Sequence, residues 1–379
     1  MKYFYPRNSV RGEISIPILM SVIIIAGVYL SGIMSPMETP YVTQGIMVSV
    51  TGASAKNSLA MHKLAIVSVT PSPTPAPSSS SSGSNPTTTT TPGSGAHVAG
   101  SLLCGTNLHL DDDTDTFLTS AAFRNGLVSA HVTTIRLPIR AVGGINPREI
   151  QAAKYIKDLG MTPLVILKFA QTDPAGAAKK VITEMNTIFG SSIVYYEFGN
   201  ERDLAGTTQT QYTTGWNQVI PQIKSLPTNG KFGGPVNYQS DPAYIAYLVK
   251  NATPKPDYIS WHEYTCNSSE ATSACTGDIA KWKTHIAAIK QAITGNGDTV
   301  PPMMVTEWNY APDAGVASDT KHTDSTFLTD WTTKAIQELA ADGVFASYHY
   351  DVTNSLPLVA TNGTPTAQGK AFSTACANL

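Results

Sequence analysis

Short apolar segments alternate with longer amphipathic segments from about residue 98 to the end of the chain. An apolar run of four to eight residues is typical of a buried strand, and apolar positions at helical spacing indicate an amphipathic helix. The predicted strands are Leu102–Leu108, Val132–Leu137, Pro163–Phe169, Ile193–Phe198, Lys231–Gly234, Tyr258–His262, Met303–Thr306 and Val344–Tyr348. The predicted helices are 147–160, Ala175–Phe189, Thr208–Leu226, Pro242–Lys250, Ile279–Ile293 and Ser325–Ala341.

This alternation predicts the α/β class and, within it, a (β/α)8 TIM barrel. Strands that alternate with helices indicate a parallel sheet, and eight repeats favour closure of the sheet into a barrel. An open doubly wound sheet is the alternative, and it would be expected to carry a glycine-rich phosphate loop after its first strand. The segment at that place, 105–113, reads GTNLHLDDD and has no such loop. Residues 98–379 also have the length of one barrel domain.

Residues 14–34 are an uncharged apolar stretch of 21 residues, long enough to cross the hydrocarbon core of a membrane as a helix. Basic residues precede it, and the next one follows only at Lys56. The positive-inside rule therefore predicts a cytoplasmic 1–13 and an extracellular remainder. A cleaved signal peptide, which would leave a secreted protein, is the alternative. We favour a retained single-pass anchor, because the apolar run is longer than a signal peptide requires and no A-x-A site follows it.

The segment that follows, residues 35–97, is predicted to be an extracytoplasmic stalk. Its part 70–95 consists almost entirely of Ser, Thr, Pro, Ala, Gly and Asn. Such a composition buries too little apolar surface to fold, so we predict a disordered Ser/Thr/Pro linker. The linker would hold the domain 98–379 away from the membrane.

The charge of the chain limits the partners to be expected. Its 25 Lys and Arg nearly balance 27 Asp and Glu, which gives a formal net charge of −2. A protein that binds nucleic acid by attraction to phosphate needs a basic surplus, so this class is excluded. The spacing of His and Cys is not typical of a metal site, and we expect no metal and no other cofactor.

The chain has four cysteines, too few for a disulfide scaffold but compatible with two bridges outside the cell. Cys104 lies in the first predicted strand and Cys376 close to the C-terminus, and a closed barrel brings these two ends together. Cys266 and Cys275 flank a polar loop after the sixth strand. We therefore predict the disulfides Cys104–Cys376 and Cys266–Cys275.

Several polar side chains lie where predicted strands end, which is where (β/α)8 barrels carry their reactive groups. Asn200 and Glu201 follow the fourth strand in the motif GNE, and Glu307 follows the seventh in TEW. Two carboxylates in one pocket are what cleavage of a glycosidic bond requires. One protonates the leaving oxygen, and the other attacks the anomeric carbon or activates water. Further candidates at strand ends are Arg136, His262 and Tyr264.

The GNE and TEW motifs resemble those of the large clan of (β/α)8 retaining glycoside hydrolases. The resemblance covers the whole predicted barrel. The segments FGGP (232–235) and DYISWHEY (257–264) are most similar to family 39, and less similar to family 5 or family 79. Membership of this clan implies a catalytic acid/base after the fourth strand and a nucleophile after the seventh.

The resemblance implies a role for each matching residue. Glu201 would be the acid/base and Glu307 the nucleophile, while Asn200 would hold the 2-hydroxyl of the sugar. Arg136 would pair with Glu307 and keep it ionised. We expect the pKa of Glu201 to be raised by desolvation and by the charge of Glu307.

Aromatic and histidine side chains complete the expected site. Tyr264 or His262 would orient the nucleophile or contact the sugar, and His109 would line the subsite. Trp308, like Trp261, would offer an apolar face to sugar rings.

One position departs from the clan. Its members usually have a tryptophan at the end of the eighth strand as the floor of the sugar subsite, and the matching segment here, 346–352, reads ASYHYDV. Tyr348 or Tyr350 is expected to take its place.

The sequence thus predicts a membrane-tethered extracytoplasmic glycoside hydrolase that cleaves β-glycosidic bonds of a polysaccharide or oligosaccharide with retention. The alternative is a non-catalytic carbohydrate-binding surface protein on a degenerate hydrolase barrel. In both cases the expected partners are a carbohydrate and, through residues 14–34, the membrane. The barrel domain is expected to be monomeric.

Overall fold

The computed structural model of the protein describes residues 102–141, 144–352 and 356–379. The predicted cytoplasmic segment, membrane anchor and linker all lie outside the described residues. Within these ranges no helix has the length and apolar character needed to cross a membrane.

Eight parallel strands form a closed barrel in sequential order, which confirms the predicted (β/α)8 architecture. The strands are β1 (Leu103–Asn107), β2 (Thr134–Pro138), β3 (Thr162–Leu167), β4 (Val194–Phe198), β5 (Gly230–Asn237), β6 (Tyr258–Tyr264), β7 (Met303–Asn309) and β8 (Ala346–His349).

Helices follow the strands and surround the barrel. They are α1 (Thr116–Thr119), α2 (Ala121–Ser129), α3 (Pro147–Asp158), α4 (Pro174–Phe189), α5 (Gln209–Ile223), α6 (Pro242–Asn251), α7 (Thr272–Gly277), α8 (Ile279–Gly295), α9 (Ser325–Ala341) and α10 (Ala367–Ala377). A 3₁₀ turn, Lys321–Thr323, precedes α9. The segments α1, α2, α7 and α10 were not among the predicted helices.

Local sequence explains where three of the long helices begin. The helices α3, α4 and α6 each start with proline, and the preceding Asn146, Asp173 or Asp241 accepts a hydrogen bond from a backbone N–H of the first turn. Proline suits the first helical position, where its missing N–H has no intrahelical partner, and Asn or Asp satisfies a neighbouring donor.

The strand β5 is longer than predicted. The apolar pattern indicated Lys231–Gly234, whereas the strand continues to Asn237 past Pro235. The register between β5 and β6 shifts between Pro235 and Asn237, so the proline lies at an irregularity where a ladder hydrogen bond is lost. This irregular end of β5 lies beside the loop that follows β4.

The inside of the barrel has an apolar end and a polar end. Leu164, Tyr195, Tyr258, Met304 and Tyr348 belong to one buried cluster inside the barrel. Nearer the carboxyl ends of the strands the inward residues are charged or polar and include Arg136 and Glu197, both almost fully buried. A polar layer therefore lies between the apolar cluster and the carboxyl ends of the strands.

Both predicted disulfides are present. Cys104 in β1 is bonded to Cys376 in α10, and Cys266 after β6 is bonded to Cys275 in α7. The first joins the two ends of the barrel, as the closed fold requires. The second constrains a loop at the same edge as the polar layer.

Candidate active site

Glu201, Glu307 and His262 meet at the carboxyl ends of β4, β7 and β6. One carboxylate oxygen of each glutamate and a ring nitrogen of His262 all lie within 4.8 Å of one another. The Nδ1 atom of His262 is 2.9 Å from Oε1 of Glu201 and 3.4 Å from Oε2 of Glu307. The two carboxylates that the sequence placed at strand ends therefore face one cleft, with an imidazole between them.

Glu307 is held by two hydrogen-bond donors. Arg136 Nη1 donates to its Oε1 at 2.6 Å, and the Tyr264 hydroxyl donates to its Oε2 at 2.8 Å. The glutamate is 7% exposed, and Arg136 is fully enclosed by the barrel. A buried guanidinium and a hydroxyl donor both stabilise negative charge on a carboxylate. The two donors therefore fix the orientation of the Glu307 carboxylate.

Glu201 has a different environment. Burial raises its pKa to about 7, Arg136 opposes this rise, and Asp203 adds to it. The raised pKa of Glu201 and its main cause, burial, agree with the prediction, whereas the charge that adds to the rise is that of Asp203 and not that of Glu307. Burial also lowers the pKa of the neighbouring His262 to about 4, so its ring is neutral near pH 7. Glu201 is thus partly protonated at neutral pH.

The backbone around Glu201 is unusual. Both Glu201 (φ +45°) and Val236 (φ +63°) lie in the left-handed region, where a non-glycine residue is uncommon and a β-branched one is an outlier. The two are paired, because the N–H of Glu201 donates to the carbonyl of Val236 at 2.8 Å. Strained residues of this kind cluster at functional sites. Here they join the loop after β4 to the irregular end of β5.

Arg136 connects the site to the polar layer below it. Its Nε donates to Glu197 at 2.6 Å, its Nη1 to Asn107 at 2.8 Å, and its Nη2 to the Asn200 side-chain oxygen at 2.6 Å. The predicted partners Asn200 and Glu307 therefore share one guanidinium. Glu197 and Asn107 were missed by the sequence interpretation, although a glutamate inside the apolar strand β4 was a signal.

Of the two candidates for the missing tryptophan, Tyr350 lies beside the site. Its ring centroid is 5.3 Å from that of His109 and 6.5 Å from that of Tyr264. Tyr348 instead points into the barrel core, where its hydroxyl is 3.0 Å from Oγ1 of Thr134. Inward residues of β8 below the rim are covered by the layers above them, so Tyr348 does not reach the cleft.

His109 lies at the same side of the cleft as Tyr350. Its Nε2 atom is 3.9 Å from Oδ2 of Asp351. Burial lowers the pKa of His109, and the nearby charge of Glu307 partly opposes this. The charge of the Glu307 carboxylate therefore acts on His109.

The structure does not bring Trp308 or Trp261 to the cleft. Trp308 stacks on Phe372 of α10 with ring centroids 6.3 Å apart, and Trp261 donates its Nε1 proton to Glu263. Neighbouring residues of a strand point to opposite faces, so a tryptophan next to an inward His262 or Glu307 points outward. Both tryptophans pack between the barrel and its helices.

Tyr238 is a cleft residue that the sequence interpretation missed. It follows β5, is half-buried, and its ring centroid is 6.0 Å from that of Tyr264. Its pKa is raised by burial and then by the negative charges of Glu201, Asp313 and Glu307. The tyrosine therefore lies near both glutamates.

Two carboxylates and an imidazole at this spacing are also groups that can bind a metal ion. They form the one such cluster among the described residues. Both oxygens of Glu307 already accept hydrogen bonds, from Arg136 and Tyr264, and Oε1 of Glu201 is 2.9 Å from Nδ1 of His262.

Several solved structures to which the chain is similar are glycosidases. The chain is similar to a glucosidase from Croceicoccus marinus, with 15% identity and a TM-score of 0.54 over 73% of this chain and 68% of that one. It is similar to a monomeric beta-xylosidase from Caulobacter crescentus, with 12% identity and a TM-score of 0.55 over 72% and 67% of the two chains.

A third similar structure is AbfB, a family 51 α-L-arabinofuranosidase from Bifidobacterium longum, with 13% identity and a TM-score of 0.56 over 74% and 73% of the two chains. No protein-family model matches the chain, and no curated protein is similar enough in sequence to match. At these identities the similarity shows the barrel fold.

Proposed function

We propose that the barrel domain is a retaining glycoside hydrolase that cleaves β-glycosidic bonds, with Glu307 as nucleophile and Glu201 as acid/base. The observation that carries this proposal is the contrast between the two facing carboxylates. Glu307 accepts hydrogen bonds from Arg136 and Tyr264, whereas burial raises the pKa of Glu201 to about 7. Glycoside cleavage uses two facing carboxyl groups in different environments, one that gives a proton and one that attacks.

The spacing supports retention of configuration. Retaining enzymes hold their carboxyl groups about 5–5.5 Å apart, while inverting enzymes leave about 6.5–9.5 Å for a water molecule. The facing oxygens of Glu201 and Glu307 lie within 4.8 Å of each other. So short a separation between the two carboxylates supports a retaining enzyme rather than an inverting one.

In the first step, a Glu307 oxygen attacks the anomeric carbon while the bond from that carbon to the leaving oxygen breaks. Glu201 gives its proton to that oxygen, so the leaving group departs as a neutral alcohol and a glycosyl–enzyme ester forms. In the second step, Glu201 takes a proton from water, the resulting hydroxyl attacks the anomeric carbon, and Glu307 leaves as a carboxylate.

The surrounding residues have supporting roles in this proposal. Arg136 and Tyr264 stabilise the carboxylate of Glu307 before attack and again when it leaves. His262, neutral and between the two glutamates, keeps them in place without adding charge. Asn200, whose oxygen faces Arg136, would use its amide group to bind the sugar 2-hydroxyl.

His109 and Tyr350 would bind the sugar on the other side of the cleft, with Tyr350 in place of the tryptophan of the clan. Trp308 and Tyr348 have no substrate-binding role in this proposal, because they pack away from the cleft.

We further propose that the enzyme works outside the cell, anchored by residues 14–34 and held off the membrane by the linker 70–95. The two disulfides of the barrel support an oxidising compartment. Fractionation of cells that express the full chain tests this. The protein should stay with membranes after a salt wash, and external protease should remove the barrel domain.

The activity is tested with the full chain in detergent on aryl β-glycosides (xyloside, glucoside, galactoside, mannoside and glucuronide), β-glycans and exopolysaccharides. Glu307→Gln is the control. Release of sugar by the wild-type protein alone supports the hydrolase, and proton NMR of the first product reads its anomeric configuration. No release, combined with tight binding of one glycan, would support the non-catalytic binding protein instead.

A further inference from the structure

The chemistry of glycoside cleavage assigns the two sides of the cleft to different parts of the substrate. The acid/base gives its proton to the oxygen that joins the cleaved sugar to the leaving group. The leaving group must therefore lie on the side of Glu201, next to the loop that carries it. We therefore expect residues that contact the leaving group to lie on or beside that loop.

Tyr238 and the strand end before it are joined to this loop by hydrogen bonds from two backbone N–H groups. The N–H of Glu201 donates to the carbonyl of Val236, and the N–H of Tyr238 donates to the carboxylate of Asp203, with oxygen distances of 3.2 and 3.1 Å. Residues 201 and 203 thus pair with residues 236 and 238. Tyr238 is held in a defined position relative to the acid/base.

The side chain of Tyr238 lies close to the reacting groups and is only half-buried. Its ring is 6.0 Å from that of Tyr264, the tyrosine whose hydroxyl donates to Glu307. Leu204, three residues after Glu201, is 51% exposed. The loop of Glu201 therefore carries an exposed apolar side chain, and the ring of Tyr238 lies beside that of Tyr264.

The other aromatic rings of the described site have different positions. The Tyr264 hydroxyl donates to Glu307, and the ring of Tyr350 packs against His109, which follows β1. Trp261 and Trp308 point away from the cleft. Tyr238 is thus the aromatic residue of the described cleft that is tied to the acid/base loop.

We propose that Tyr238 is the aromatic platform for the leaving-group sugar and makes the enzyme specific for bonds between two sugars. This inference rests on the proposed function and extends it to the substrate class, an oligosaccharide or polysaccharide. The C–H face of a sugar ring is apolar and packs on an aromatic face, so the ring of Tyr238, and not its hydroxyl, carries the effect.

The test compares two substrates with the same cleaved sugar, a β-linked disaccharide and the methyl β-glycoside. Both leaving groups are alcohols that need the proton of Glu201, but only the disaccharide has a second ring. We expect Tyr238→Ala in the full chain to lower kcat/KM for the disaccharide by about 10- to 100-fold, as loss of a buried aromatic contact would. The methyl glycoside should change by less than about twofold.

Two further variants control this comparison. Tyr238→Phe keeps the ring and should keep the wild-type preference for the disaccharide. Tyr247→Ala removes a half-buried tyrosine on α6, whose hydroxyl bonds to Thr210, and should leave the ratio of the two substrates unchanged.

Each of the other outcomes would overturn the proposed role of Tyr238. An equal loss on both substrates in Tyr238→Ala would mean that the residue supports Glu201 or the fold, and would overturn the platform. No loss on the disaccharide would overturn it as well. If the wild-type protein cleaves neither substrate nor any glycoside of the panel, the proposed hydrolase fails, and the platform with it.

Discussion

The two glutamates of the cleft are the same residue type in two different environments. Glu307, at the end of β7, accepts hydrogen bonds from Arg136 and Tyr264. Glu201, after β4, has a neutral His262 as its side-chain partner and a burial-raised pKa of about 7. The donors around Glu307 stabilise negative charge on its carboxylate, whereas burial of Glu201 disfavours negative charge there.

This difference gives a physical reason for the unequal roles proposed for the two glutamates. Arg136 donates a hydrogen bond to Glu307 and none to Glu201. It also donates to Glu197 in the layer below, so its positive charge acts on two carboxylates. A guanidinium stabilises the negative charge of the carboxylate that it contacts, whereas burial raises the pKa of Glu201 to about 7. The roles are thus set by neighbours from other strands.

The sharpest test of the comparison is removal of the better-stabilised glutamate. Glu307→Ala should reduce turnover by about 10⁴-fold or more, since the attacking group is lost. Azide should restore activity by occupying the space of the carboxylate, and the product should be the glycosyl azide of inverted configuration. Proton NMR of the product reads this. Full activity of the variant would contradict the assignment of the nucleophile.

Removal of the other glutamate should depend on the leaving group. Glu201→Ala should lower kcat/KM by about 10²–10⁴-fold for a disaccharide, which is the range of general acid catalysis. A dinitrophenyl glycoside, whose leaving group departs without a proton, should lose far less in the glycosylation step. Stopped-flow measurement of phenol release separates the two cases. Equal losses on both substrates would mean that Glu201 is not the acid.

A milder change weakens the stabilisation of Glu307 alone. Tyr264→Phe removes the hydroxyl that donates to Glu307 at 2.8 Å. A hydrogen bond to a charged group contributes about 1.5–3 kcal/mol, so kcat should fall by about 10- to 100-fold. Steady-state kinetics measures this. The azide rescue of Glu307→Ala should be absent here, because the carboxylate is still present.

The smallest expected effect concerns the pKa of Glu201. Its acid form is the active one, so kcat/KM should fall about tenfold per unit as pH rises above about 7. Asp203→Asn removes a negative charge that raises this pKa and keeps an oxygen that can accept from Tyr238. The alkaline limb of the pH profile should move to lower pH. A limb that stays in place would mean that burial alone sets the pKa.

Much of the architecture follows from local patterns in the sequence. The alternation of apolar and amphipathic segments predicted the closed barrel, and Asn or Asp before proline marks the start of α3, α4 and α6. The motifs GNE and TEW placed Glu201 and Glu307 at strand ends, where a barrel brings such residues together. Barrel closure also accounts for the disulfide Cys104–Cys376.

Other features depend on which way a side chain points. Trp308 follows Glu307 directly, and the alternation of side chains along a strand places the two on opposite faces of β7. Tyr350 and not Tyr348 lies at the cleft, because Tyr348 is deeper inside the barrel, where its hydroxyl is 3.0 Å from Oγ1 of Thr134.

The sequence by itself determined the order of strands and helices, the disulfide pairs and the two glutamates, because these follow from period, composition and position along the strands. Only the tertiary structure decided how Arg136 is shared among Glu197, Glu307 and Asn200, and that Tyr238 lies beside the loop of Glu201. Contacts of this kind join distant strands, and the pKa of a buried group depends on all the neighbours that folding brings around it.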